Sequence, residues 1–259
     1  MPSGFNVLKQ LSVSSTALFL DFDGTLAGIA DHPESVRVDA RALSVIARAC
    51  EKLGGALAIV TGRDLATLDA FLLPHSFAAS GVHGFEMRAG DGQIERRSAN
   101  LDALDRVKQD LSGFADQHDG LLLETKPASI ALHYRQRPEL GRDCQQAVRE
   151  ALEGEDGLRV MQGKMVVEIK AHQGDKGQAI AAFMDRPPFR GRVPVFIGDD
   201  VTDEAAFAAV NAQGGVSIKV GTGDTCAAYR LEDPDAVHDW LAAFAGDGNH
   251  EDQLEGIAT

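Results

Sequence analysis

The sequence predicts an α/β fold, a doubly wound and mostly parallel core interrupted by an inserted α+β cap. Three observations carry this. Short apolar runs alternate with helical stretches in both the first and last thirds of the chain. Between them, residues 87–171 change texture to antiparallel-type strands. Carboxylates and a threonine recur where the apolar runs end, and in open α/β sheets ligands bind at the carboxyl ends of strands. The expected core is therefore Rossmann-like, built from 1–86 and 172–259 around a cap of 87–171.

The elements follow in order. "ALFLDF" (17–22) reads as a buried strand. "VDARALSVIARACEKLGG" (38–55) is helical, with Leu43, Ile46, Cys50 and Leu53 on one stripe and glycines to end it. "ALAIV" (56–60) is a second buried strand, a helix runs from about Asp64 to Leu72, and "FAAS" (77–80) is a third short strand. "FEMRAGDGQIERRS" (85–98) carries the Asp-Gly turn of a hairpin. Leu101, Leu104, Val107, Leu111 and Phe114 are in register for a helix over 101–116. In "SIALHYR" (129–135), Ile130, Leu132 and Tyr134 alternate with Ala131, His133 and Arg135, the pattern of a half-exposed antiparallel strand. A helix (139–152) and strands in "LRVMQG" and "MVVEIK" complete the insert. The buried pattern then returns as helix 176–184, strand "VPVFIGDD" (193–200), helix 202–211, strand "VSIKV" (216–220) and a helix near 235–244. Trp240 and the phenylalanines are core residues by default, and the polar tail "GDGNHEDQLEGIAT" is expected to fray.

Composition narrows the class. A chain of 259 residues can bury a sizeable core, and 44% hydrophobic with 25% charged residues suits a folded soluble protein. No apolar run approaches the ~18 residues of a spanning helix, and the first residues lack the charged start and apolar stretch of a secretory signal. Cys50, Cys144 and Cys226 are scattered, which suits a reduced cytoplasmic compartment. The net charge of −14 argues against nucleic acid or an anionic membrane surface as partner. An anionic small molecule must then be attracted locally, by a metal and a few cationic side chains. A monomer is expected.

The strand ends supply such a place. Asp21 and Asp23 resist joint ionisation, so a cation or a proton must compensate. The Gly24-Thr25 turn can offer backbone N–H groups to an anion. "VTGR" sets the Thr61 hydroxyl just ahead of a helix N-terminus, which favours phosphate. "GDKGQAI" starts a helix with Lys176, where a structural lysine is poorly placed against the dipole. "FIGDDVTDE" adds Asp199, Asp200 and Asp203. This oxygen-rich, histidine-poor set suits Mg²⁺ and not zinc. Together the residues describe phosphoryl transfer. Asp21 is the nucleophile. Mg²⁺ is held by Asp21, the Asp23 backbone carbonyl and Asp199. Asp23 protonates the leaving alkoxide and later takes a proton from water. Thr61 and Lys176 hold the equatorial oxygens. Plainer roles remain open: Thr61 equally suits capping the helix near Asp64, and Asp200 and Asp203 suit capping or support.

"DFDGT", "VTGR", "GDKG" and "GDDVTDE", in this order, resemble the haloacid dehalogenase superfamily of phosphatases over nearly the whole chain. Within it, "SGVHGFEMR", "LLLETKPASIALHYR" and "GKMVVEIK" resemble the trehalose-6-phosphate phosphatases. That resemblance implies hydrolysis of trehalose 6-phosphate in trehalose biosynthesis, with a mobile cap over the core site. Carried over at matching positions, Glu124, Lys126 and Glu168 would contact the disaccharide hydroxyls, with Lys164 and Arg135 as further candidates. On the residues alone, Glu124, Lys126, Lys164 and Glu168 equally suit the wet face of a sheet. His83 reads as a turn or hinge residue and His133 as part of the polar cap face. Other readings share the strand-end carboxylates. A phospho-acceptor signalling module needs neither a second aspartate acid nor an insert. A phosphohexomutase, or a phosphatase for another sugar such as sucrose phosphate, would use the same core.

Overall fold

A strand with no wet face must be covered on both sides, and the first apolar run, Thr16–Leu20, is buried along its whole length. It is β1 of a computed structural model that describes residues 1–29, 36–90, 92–163, 165–171 and 174–246. After it come α1 (Ala40–Lys52), β2 (Leu57–Val60), α2 (Leu65–Leu72), β3 (Ala78–Gly81), β4 (Glu86–Arg88), β5 (Ile94–Arg96), α3 (Leu101–Asp116), β6 (Leu122–Lys126) and β7 (Ser129–His133). Next are α4 (Gly141–Ala151), β8 (Arg159–Gly163), β9 (Val166–Lys170), α5 (Lys176–Met184), β10 (Val193–Gly198), α6 (Glu204–Ala212), β11 (Val216–Val220), β12 (Tyr229–Leu231) and α7 (Pro234–Phe244). The order is that of an α/β protein with a mostly parallel central sheet.

The chain divides into two compact units, one of Met1–Glu95 with the residues from Asp175 onward, the other of Arg96–Gly174. The first holds an eight-stranded sheet in the order β12-β11-β10-β1-β2-β3-β4-β5. Pairing is parallel from β12 to β3 and antiparallel between β3 and β4. β1 lies beside both β2 and β10, so residues just past these three strands come together at one edge. Phe19, Phe183 and Phe189 pack with centroids 5.1–6.0 Å apart. Trp240 is fully buried and its indole N–H donates to the Gly4 carbonyl (3.0 Å), whereas Phe5 is an exposed exception among the phenylalanines.

The second unit is a four-stranded antiparallel sheet in the order β6-β7-β9-β8. Ile130, Leu132, Val167 and Ile169 share a core with Leu104, Val107 and Leu111 of α3 and with Cys144 and Val148 of α4. The other face carries the polar residues.

Two expectations change. The hairpin assigned from sequence to the insert belongs to the large sheet, because β4 pairs with β3 and its side chains find partners there. Glu86 accepts the Leu65 N–H (3.0 Å), and Arg88 pairs with Asp69 on α2 (2.6 Å). The strand in "SIALHYR" ends at His133, and Ser129–Leu132 are buried where a half-exposed strand was expected. β7 is a central strand flanked by β6 and β9, so even its polar-face residues are covered. β6, β12 and a 3-10 helix over Gly4–Gln10 had no clear sequence signal. The expected fraying beyond Gly246 lies outside the described residues.

Candidate active site

Asp21 follows β1 directly, and its N–H donates to the Ile197 carbonyl of β10 (2.9 Å), continuing the ladder to the strand's end. Lys176 opens α5 behind the N-cap Asp175 and is almost wholly buried. Its ammonium lies 2.6 Å from Asp21 Oδ1 and 2.6 Å from Asp203 Oδ1. A lysine at a helix N-terminus opposes the dipole, and these two carboxylates compensate it. Asp203 is fully buried, and its Oδ2 accepts the N–H groups of Asp199 (2.9 Å) and Asp200 (3.0 Å). Asp200 in turn caps the 3-10 turn 201–203 in a reciprocal capping box. Asp200 and Asp203 thus fold the loop that presents Asp199.

Asp21, Asp199 and Asp203 each offer an oxygen within 4.8 Å of the others. The electrostatic result is strained. Burial pushes the Asp21 carboxyl well above its ordinary pKa; Lys176 opposes this, and Asp203 and Asp199 add to it. Burial, then Asp203, pushes Asp199 up to about 6. For Lys176 burial works against the charged form, but Asp21 and Asp203 outweigh it and raise the pKa.

These residues fit a hard divalent cation. Asp199 Oδ1 is buried without a hydrogen-bond partner among the described residues. Both Asp203 oxygens are already engaged, so Asp203 supports and Asp21 and Asp199 are the available ligands. Gly24, at φ +79°, leaves room for Asp199: a Cβ there would stand 2.1 Å from Asp199 Oδ2. An oxygen-only donor set of this kind suits Mg²⁺ chemistry.

Gly24 differs from expectation in another way. Its N–H donates to the Ala27 carbonyl (2.7 Å), and the Thr25 and Leu26 amides turn to the Phe22 carbonyl (3.4 and 2.9 Å). The amides that the sequence offers to an anion are spent inside the turn, and the contribution of Gly24 is its missing side chain.

Thr61 follows β2, is buried, and accepts the Arg63 N–H on its hydroxyl (3.1 Å). It does not cap α2. Asp64 does, accepting the Thr67 N–H at 2.9 Å. Asp23 sits in the turn after β1 and meets Arg63 in a two-pronged pair: Nε to Oδ2 is 2.7 Å and Nη2 to Oδ1 is 2.6 Å. Nothing in the sequence reading foresaw this partner, although Arg63 ends the "VTGR" stretch.

In the second unit, Glu124, Ala131, Glu168 and Met161 lie directly opposite one another across the four strands, so they share one face. Lys126, Ser129, Lys170 and Arg159 form the adjacent row on that face. Glu124 is held from two sides, by His133 Nε2 (3.0 Å) and Lys126 Nζ (3.5 Å). Burial would raise its pKa, but Lys126 and His133 together bring it below the ordinary value. Glu168 lies 3.6 Å from the nearly buried Lys170, a cation that the sequence reading missed. Burial lowers the Lys170 pKa against the pull of Glu168. Arg135 lies beyond the end of β7 in an exposed turn. Lys164 lies outside the described residues.

Comparison with known proteins identifies relatives over most of the chain. A family model described as trehalose-phosphatase matches residues 19–235. A Sinorhizobium fredii protein described as a probable trehalose-phosphate phosphatase is 42% identical over 222 residues, 84% of this chain and 83% of that one. The trehalose-6-phosphate phosphatase of Escherichia coli K12 is 41% identical over 229 residues, 87% of this chain and 85% of the relative. Among solved structures, a trehalose-6-phosphate phosphatase related protein superposes with a TM-score of 0.72 at 29% identity, covering 90% of this chain and 98% of that one.

Proposed function

The chain belongs to the trehalose-phosphatase family, a branch of the haloacid dehalogenase-type phosphatases, and from that premise we propose that it hydrolyses trehalose 6-phosphate to trehalose and phosphate. It is a phosphoric monoester hydrolase. The observation that carries the reading is the Lys176 ammonium, 2.6 Å from both Asp21 and Asp203, beside the partnerless oxygen of Asp199. A buried cluster of three carboxylates and one ammonium has more negative than positive charge and calls for a further cation before it can receive an anionic phosphate.

In the proposed reaction an Asp21 carboxylate oxygen attacks phosphorus, and the bond from phosphorus to the sugar oxygen breaks. Asp23 gives its proton to that departing alkoxide. A water then attacks the aspartyl phosphate, Asp23 takes the water's proton, and phosphate leaves as Asp21 is regenerated. Lys176 holds Asp21 against its own burial and supplies charge to the phosphoryl oxygens. Thr61 contributes a buried hydroxyl at the neighbouring strand end. Mg²⁺, held by Asp21, Asp199 and the Asp23 carbonyl, would supply positive charge against which the carboxylate and the phosphate can meet. In the second unit, Glu124, Lys126 and Glu168 read the sugar hydroxyls. The enzyme acts on a small sugar phosphate as a cytoplasmic monomer. Among the described residues no helix is long and apolar enough to cross a membrane.

Phosphate release from a panel of sugar phosphates, with and without chelator, tests this. Trehalose 6-phosphate should be hydrolysed fastest, EDTA should abolish turnover, and added Mg²⁺ should restore it. Full activity in excess EDTA, or preference for sucrose 6-phosphate or glucose 6-phosphate, would overturn the corresponding part of the proposal.

A further inference from the structure

A carboxylate in an open turn can adopt many orientations, and Asp23 is 40% exposed at its side chain. Here it takes one. Arg63 grips both oxygens at 2.7 and 2.6 Å, the bidentate geometry that gives direction as well as strength. An ordinary surface ion pair is held by two mobile side chains and contributes little. Arg63 is different, being only 13% exposed, with its guanidinium carbon 5.6 Å from the Phe22 centroid and 4.9 Å from that of Phe71.

The backbone beneath Arg63 is fixed as firmly. Its N–H donates to Thr61 Oγ1 (3.1 Å) and its carbonyl accepts the Val82 N–H (2.9 Å). The Thr61 carbonyl accepts the His83 N–H (3.1 Å). Val82 and His83 stand at φ +47° and +51°, and for a β-branched valine that is a costly conformation. Such strain persists where the surroundings over-determine it. The His83 ring also lies against Gly62, where a Cβ would come within 2.8 Å of Cε1 and Nε2. A strained turn, an intervening glycine and two aromatic rings therefore converge on the placement of one guanidinium.

We propose that Arg63 is a positioning residue for Asp23, aiming the carboxylate that exchanges a proton with the leaving sugar oxygen. This rests on the reading of Asp23 as acid and base given above. As the bond from phosphorus to the sugar oxygen breaks, the Asp23 O–H bond breaks, and a new O–H bond forms on the sugar oxygen. One carboxylate oxygen carries that proton while Arg63 retains the other. When the proton has left, both oxygens accept from the guanidinium, as in this structure. Lysine cannot reproduce the fork.

The test uses the Mg²⁺-loaded enzyme with Arg63→Met and Arg63→Lys, each alone and combined with Asp23→Asn. kcat/KM is measured on trehalose 6-phosphate and on p-nitrophenyl phosphate, whose phenolate leaves without a proton. Arg63→Met should lower kcat/KM on the sugar phosphate by about 10²-fold, the scale of misplacing a reacting group. On the aryl phosphate it should change by less than about threefold, because no acid is needed there. Arg63→Lys should fall between, with the same selectivity, and it carries the test if Arg63→Met fails to fold. In the Asp23→Asn background, loss of Arg63 should add little, since the two act as one unit. Equal losses on both substrates, or losses that add in the double variants, overturn the inference; the former would place Arg63 on the phosphate itself. If Asp23→Asn is itself unselective between substrates, the reading of Asp23 fails first. If Asp23→Asn is selective and Arg63→Met is not, only the inference fails.

Discussion

At Asp199 the chain holds a carboxylate that its surroundings oppose. Its pKa rises from an ordinary 3.8 to about 6, through burial and then Asp203, and one of its oxygens has no hydrogen-bond partner among the described residues. A raised folded-state value means the native protein binds more protons than the unfolded chain between these limits. The contribution of Asp199 to stability is then lost as pH rises from about 4 to about 6. In the proposed metal site, Mg²⁺ would relieve the penalty at the position a proton would neutralise, so that metal and proton would compete. Thermal scans should therefore show Mg²⁺ raising the Tm of the wild type more at pH 7 than at pH 5. Asp199→Asn should raise the Tm of the metal-free protein at pH 7 and lose the Mg²⁺ response. A variant with an undiminished response would show that Asp199 is not a ligand. Asp21, Thr61, Lys176 and Asp199 were legible in the sequence because each lies beside a strand end or helix start, a local signal. The pairing of Arg63 with Asp23 was not, because those residues are 40 apart and meet only when β1 and β2 lie side by side. The grip of His133 on Glu124 depends likewise on the register of β6 against β7.

At the scale of elements, legibility tracks burial. β1, β2, β10 and β11 read as apolar runs because helices cover them, and α1 and α3 read from their stripes. β6 carries exposed and half-buried residues without clean alternation, and β12 spans only Tyr229–Leu231, so neither has a period to detect. The hairpin of β4 and β5 was recognised, but a local turn signal cannot say which sheet it joins. That was decided by Glu86 and Arg88, which reach α2. The same helix supplies a test of capping. Thr61 is released from a capping role only if Asp64 performs it, and Asp64 accepts the Thr67 N–H and hydroxyl. Asp64→Ala should cost about 1 kcal/mol by denaturant unfolding, the usual worth of an N-cap. Thr61→Ala should cost activity far more than the cap alone explains. Similar small stability losses with intact turnover in both variants would return Thr61 to a structural role.

Taken whole, the molecule divides into two compact units, and the proposed function gives each a separate task. The unit of Met1–Glu95 with the residues from Asp175 holds the carboxylates and Lys176, which in the proposed reaction would handle the phosphate whatever alcohol it is attached to. The unit Arg96–Gly174 presents Glu124, Lys126, Glu168 and Lys170 on one face of its sheet, with α3 and α4 covering the other. Neutral sugar hydroxyls are well matched by paired carboxylates and ammonium groups, since each hydroxyl both donates and accepts. We propose that this unit is the cap and that it selects the sugar. A site built to hydrogen-bond hydroxyls rejects a ligand that leaves its polar groups unpaired. Glu124→Ala, Lys126→Ala and Glu168→Ala should therefore lower kcat/KM for trehalose 6-phosphate much more than for p-nitrophenyl phosphate, which reports on the core alone. Part of the loss should fall in kcat, because binding energy from the remote ring can be used at the reacting centre. Arg135→Ala, altering an exposed turn beyond the end of β7, should have the smallest effect of the four. Parallel losses on both substrates would show that these side chains maintain the fold, and a dominant effect at Arg135 would move the sugar contact to the turn after β7.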